Sequence, residues 1–141
     1  MYRDKYRSVV DGIELFNEGD MHSKYTLEEL NTYLLLPITY DRIRLYYQDD
    51  KTIGLITWCW LSPTQSNLFL NDEYQPVAED YQRENPKGDY VLWGIEFIAP
   101  FGHTRKLMRA VRNEHTELYG TTTTVHFRRF YDRNKLHKRT F

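Results

Sequence analysis

The stretch from Val91 to Met108 constrains this chain more than any other, because it reads as a strand, a tight break and then a helix. Val91 to Ile98 is apolar, aromatic or β-branched around one carboxylate, Glu96, the make-up of a central strand carrying a single exception. Pro100 cannot donate to a ladder and Gly102 permits a turn that other residues resist, so the chain leaves the sheet there. Thr104 is placed to N-cap a helix in which Leu107, Met108, Ala110 and Val111 share one face. Arg105, Lys106, Arg109 and Arg112 are left for the other. A strand that breaks sharply into a helix leaves N–H groups without intrahelical acceptors at the turn, a place for an anion or a polarised carbonyl. Glu96 itself reads in two ways, as a residue of a solvated face or as a group held in a cleft against a partner.

The rest of the chain arranges itself around that strand. Tyr6 to Phe16 puts Val9, Val10, Ile13 and Phe16 on one stripe, with Leu15 off it, and predicts an amphipathic first helix that packs on the sheet and ends at Gly19. Thr26 and Glu29 form a capping-box pattern for a second helix running to about Leu36, where Pro37 should stop it. Arg42 to Tyr47 and Thr52 to Leu61 read as the two strands of a hairpin around an acidic turn. Ser62-Pro63-Thr64 breaks the second strand, Gln65 to Tyr81 is a short helix or loop with Val77 to Asp80 helical, and Glu84 to Asp89 is a loop. After the helix from Thr104, closed by Gly120, Thr121 to Phe127 is strongly β-prone. The order α-α-β-β-β-α-β, with its last strand reached by a helical crossover, predicts a mixed α/β sheet.

Composition bounds what this sheet can serve. At 141 residues, the chain 1–141 is expected to be one domain. No apolar run approaches the ~18 residues of a membrane span and the first residues lack a signal-peptide core, so a soluble, cytoplasmic protein is expected. One cysteine, Cys59, excludes an internal disulfide and a cysteine-rich zinc site, and its place in an apolar run makes it a core thiol. His103, His115, His126 and His137 show no metal-ligand spacing, so no metal is assigned. Twelve tyrosines and three tryptophans suit a cleft lined by rings with polar tips. The net charge of −1 is unevenly spread: from His126 on, six cations stand against Asp132, a local +5 that leaves −6 for the first 125 residues. A basic tail from about 128 asks for an acidic partner, protein or nucleic acid, or is simply solvated. Nucleic acid has no motif behind it beyond Arg128 and Arg129 among aromatic residues.

The block Glu96-Phe97-Ile98-Ala99-Pro100-Phe101-Gly102 resembles the Asp-Trp-Ile-Ala-Pro-Phe-Gly block of the RTX toxin-activating lysine acyltransferases, the hemolysin-activating family with a GNAT-like fold. The spacing of Met21-His22 before Leu36-Pro37 and the strand Ile53 to Leu61 are similar to the family's as well, so the likeness runs from about His22 to about Phe130. The resemblance implies transfer of a fatty acyl group from acyl carrier protein, or acyl-CoA, as co-substrate to the ε-amine of a lysine in a protein substrate, with no permanently bound cofactor. It places the family's histidine on His22 and its aspartate on Glu96, one methylene longer. A lysine amine is protonated at neutral pH until a base takes its proton, which is work for His22 oriented by a carboxylate. Phe101, Gly102, His103, Thr104 and Arg105 would meet the thioester or the pantetheine phosphate. On this resemblance Glu96→Asp should retain or improve the activity by restoring the family's residue. Gly19 stands where the family carries a serine, which keeps alive a second reading, a degenerate GNAT-like binding or inhibitor protein without chemistry. A homodimer is left open.

Overall fold

The computed structural model describes residues 2–19, 22–84, 86–120, 124–129 and 132–140, with side chains described between Lys5 and Arg128. Five strands form one sheet in chain order: β1 (Ile43–Gln48), β2 (Lys51–Leu61), β3 (Val91–Ile98), β4 (Thr124–Arg129) and β5 (Asp132–Thr140). Neighbours pair antiparallel except β3 and β4, which run parallel through Leu92–Val125 and Trp93–His126. Parallel neighbours need a crossover, and helix α6 (Thr104–Tyr119) supplies it. The expected mixed α/β sheet is therefore present, with β3 at its centre and a helix directly after the break.

Helices cover both faces, which is why β2 is buried from Thr52 to Leu61 instead of alternating. On one face α6 packs Val111 against Ile56, Trp58, Trp60, Leu92 and Val125. Gly54 lets that helix approach, since a Cβ there would run into the Leu107 side chain and stand 2.9 Å from the Ile98 carbonyl oxygen. The other face carries α1 (Tyr2–Glu18), α2 (Leu27–Leu30), a π-helical segment (Asn31–Leu35), α3 (Leu36–Thr39), α4 (Pro63–Leu70) and α5 (Ala78–Gln82). Beneath them lie two cores, one of Leu15, Phe16, Leu34, Ile38, Ile43, Leu55 and Ile98, the other of Cys59, Leu61, Phe69, Tyr81 and Trp93. Cys59 is the core thiol expected of it. Among the described residues no helix is long and apolar enough to cross a membrane.

Four local expectations are corrected. The first helix turns a different face inward: Leu15 is 1% exposed, while Val10 and Ile13 are 37% and 38% exposed. Gly12 explains the rotation, because a Cβ there would stand 2.6 Å from Leu34, so the bare backbone forms the notch that Leu34 fills. Pro37 does not stop the second helix, which runs on through it to Thr39. The wider π turn ahead of Pro37 accommodates a residue that has no N–H to donate and a ring that crowds the preceding turn. Thr104 is not the N-cap of α6; His103 holds that place, and no side chain caps the helix there. The tail expected from about 128 belongs to the sheet, as the end of β4 and as β5. Arg128 is committed internally, donating to the Phe69 carbonyl (2.7 Å) and Asp72 (3.3 Å) over the Phe69 ring. Thr121 to Thr123 of the expected last strand lie outside the described residues.

Candidate active site

The position of Glu96 is set by an irregularity in β3. Thr57 pairs with Glu96, yet Trp58 pairs with Gly94, so Ile95 is one residue too many for the ladder. In a regular strand Leu92, Gly94, Glu96 and Ile98 would share the α6 face. The bulge inverts that phase: Leu92 and Phe97 pack with the α6 core, and Ile98 joins Leu15 and Phe16 on the opposite side. Glu96 goes with Ile98, out from under α6 and toward α1. Its N–H donates to the Thr57 hydroxyl (3.0 Å), a fully buried polar group within the apolar run Ile53 to Leu61.

From the other side the chain delivers His22. Gly19 ends α1 and accepts the Ser23 N–H (2.9 Å), which folds the next residues into a 3-10 turn, His22–Lys24. A Cβ on Gly19 would lie 3.1 Å from His22 Nδ1, so the absent side chain gives the ring its space. The imidazole sits between Phe16 and Tyr25, with ring centroids 5.1 Å away on both sides. His22 Nε2 lies 2.7 Å from Glu96 Oε2, and the two residues are only 4% and 8% exposed. The Tyr25 hydroxyl donates to the other carboxylate oxygen, Oε1, also at 2.7 Å. Because a carboxylate oxygen accepts, Nε2 carries the hydrogen of this contact.

Of the residues singled out in the sequence, His22 and Glu96 thus meet across 74 positions. The turn residues have contacts of their own. Lys51 Nζ stands 3.7 Å from the centroid of Phe101, which lines a cleft of about 690 Å³ together with Tyr6, Val10, Asp11 and Asp49. Gly102 adopts φ 85°, His103 accepts the Leu107 N–H through its carbonyl (2.9 Å), and Thr104 and Arg105 are exposed at the helix start. Two site residues were not found from sequence, Tyr25 and Thr57. Their signals were a ring with a polar tip three positions after His22, and a lone hydroxyl inside the apolar run of β2. Cys59 is no rival nucleophile, since burial pushes its thiol well above the ordinary value and thiolate is the reactive form. Among the described residues no three His, Cys, Asp or Glu side chains could hold a metal ion.

Residues 12–138 match the model of the RTX toxin acyltransferase family, HlyC. An uncharacterised protein of Synechocystis sp., sll0720, is 33% identical over 102 residues, 70% of this chain and 65% of that protein. The leukotoxin-activating lysine-acyltransferase LtxC of Aggregatibacter actinomycetemcomitans is 29% identical over 70% of this chain and 55% of its own length. The protein-lysine myristoyltransferase RtxC of Kingella kingae is 26% identical over 77% of this chain and 62% of its own. The chain thus spans somewhat more than half the length of these relatives. With a family match over nearly all of the sequence, and a histidine and a carboxylate joined where the resemblance put them, this chain belongs to the RTX toxin acyltransferase family.

Proposed function

We propose that this chain is a protein-lysine acyltransferase that moves a fatty acyl group from a thioester, on acyl carrier protein or coenzyme A, to the ε-amine of a lysine in a protein substrate. The observation that carries this reading is the buried contact of His22 Nε2 with Glu96 Oε2 at 2.7 Å. Glu96 fixes ring orientation and tautomer and offsets the charge the imidazole gains, so His22 serves as base. His22 takes a proton from the acceptor, and the amine nitrogen forms a bond to the thioester carbonyl carbon. The carbon–sulfur bond then breaks, and sulfur leaves with its electron pair. Starting from the ammonium, one proton ends on the thiol and one in solvent. The turn from Phe101 to Arg105, with no side chain capping the first N–H groups of α6, offers donors to the thioester oxygen or the pantetheine phosphate. Arg105, Lys106, Arg109 and Arg112, all exposed, form the surface on which an acidic carrier would dock.

The formed pair speaks against a degenerate binding protein, for which nothing would require a buried histidine on a buried carboxylate. The test is mass spectrometry of candidate partner proteins co-expressed with the wild-type chain and with His22→Ala. Acylated lysine with the wild type alone is expected. Partners captured but unmodified by the wild type would contradict the enzymatic reading.

A further inference from the structure

We propose that Tyr25 is a positioning residue of this site, its hydroxyl locking the Glu96 carboxylate in the one orientation that holds Oε2 on His22. This inference rests on the acyl-transfer reading above. A glutamate has three side-chain torsions, the last of them soft, so one hydrogen bond to His22 fixes one oxygen and leaves the carboxylate plane free to turn. A second donor on Oε1 removes that freedom, and Tyr25 supplies it at 2.7 Å. The donor is itself held. The Tyr25 ring meets Phe16 edge-on at 5.5 Å (83°), lies 5.6 Å from Tyr33 and touches the His22 ring at 5.1 Å. Its backbone is tied at both ends: the Tyr25 N–H donates to the His22 carbonyl (3.2 Å), and the next residue, Thr26, is the N-cap of α2 with a complete capping box. Base, carboxylate and second donor therefore come from two short segments whose relative position is fixed by rings. The hydroxyl is the single atom group that a purely packing role would not need.

Tyr25→Phe keeps the ring and deletes that group. Rates of acyl transfer would be measured for the wild type and Tyr25→Phe, and again in a Glu96→Ala background, or Glu96→Leu should the alanine variant not fold. Thermal midpoints and the ¹H–¹⁵N spectrum of the His22 imidazole would be recorded alongside. With the wild-type background, kcat is expected to fall about tenfold, the scale of a small misplacement of a reacting group. KM for thioester and acceptor should stay unchanged. In the background lacking the Glu96 carboxylate the same substitution should do nothing more, the coupling that marks action through Glu96. An unchanged kcat, or an equal loss in both backgrounds, would overturn the assignment. Should the wild type transfer no acyl group, the acyl-transfer reading fails on its own and the spectrum still decides: a shifted His22 Nε2–H resonance in Tyr25→Phe supports the clamp, and an unaltered one overturns it.

Discussion

Glu96 touches His22 because glutamate is as long as it is. Aspartate on the same backbone would draw the carboxylate back by about 1.5 Å, one carbon–carbon bond, and open the 2.7 Å contact to roughly 4 Å. The resemblance alone favours aspartate at this position; the geometry favours glutamate. Glu96→Asp should therefore lower kcat by about tenfold or more with the fold intact. Steady-state rates beside circular dichroism check this, and a rate equal to wild type would show that the β3 backbone gives way. His22 and Glu96 were legible in the sequence only through the block that carries the resemblance, since a lone histidine after Gly19 and a lone carboxylate in a strand have ordinary explanations. Tyr25 was not legible: one tyrosine among twelve becomes distinctive only when its hydroxyl has an address.

Elements were legible where their periodicity was simple. β3 runs from Val91 to Ile98, as its composition predicts, and the break at Pro100 to Gly102 leads directly into α6. The bulge at Ile95 was hidden, because a regular period of two puts Glu96 on the wrong face and no residue type announces an inserted one. The face of α1 was hidden for a related reason: hydrophobic spacing names candidate faces, and the notch that Gly12 offers Leu34 chooses among them. Ser62 read as a strand break, yet Ser62 and Gln65 form the capping box that starts α4. Past α4, the chain is pinned to β2 by a buried carboxylate. Asp80, fully buried, accepts from the Tyr74 hydroxyl, from the Val77 N–H (2.9 Å) and from Arg83 Nη1 (2.6 Å). Arg83 also donates to the Trp60 carbonyl (2.8 Å), and Arg42 donates to the Arg83 carbonyl (2.9 Å). Asp80→Ala leaves a guanidinium short of its partner in a largely buried place and should cost ~3–5 kcal/mol. Urea denaturation near neutral pH measures it, and a loss under about 1 kcal/mol would mean that water takes over the carboxylate's part.

At the scale of the molecule, α6 ties the sheet to its own acid sensitivity. His115 is buried against Trp58 and donates Nδ1–H to the Val111 carbonyl (3.1 Å). Burial, aided by the nearby Arg44 charge and opposed by that hydrogen bond, lowers its pKa from the ordinary 6.5. The unfolded chain therefore binds a proton that the folded one refuses as pH drops below about 6.5. Stability should fall from there toward the lower folded value and be insensitive to this group above it. His115→Asn should flatten that part of the profile, read as unfolding midpoints at about pH 7.5 and about pH 5.5. An unchanged slope would place the acid sensitivity elsewhere. The charge asymmetry of the sequence also changes meaning at this scale, because Arg128 is spent on joining β4 to α4, while Arg105, Lys106, Arg109 and Arg112 of α6 are exposed.

The central claim, that His22 held by Glu96 is the base of an acyl transfer, is tested most directly by single-turnover transfer from an acyl carrier protein thioester bearing an alkyne-tagged fatty acyl group. The acceptor would be a lysine-bearing RTX-type polypeptide, and wild type would be compared with His22→Ala. A loss of ~10²–10⁴ in rate in a folded variant is the predicted result. Transfer by His22→Ala at the wild-type rate would contradict the account.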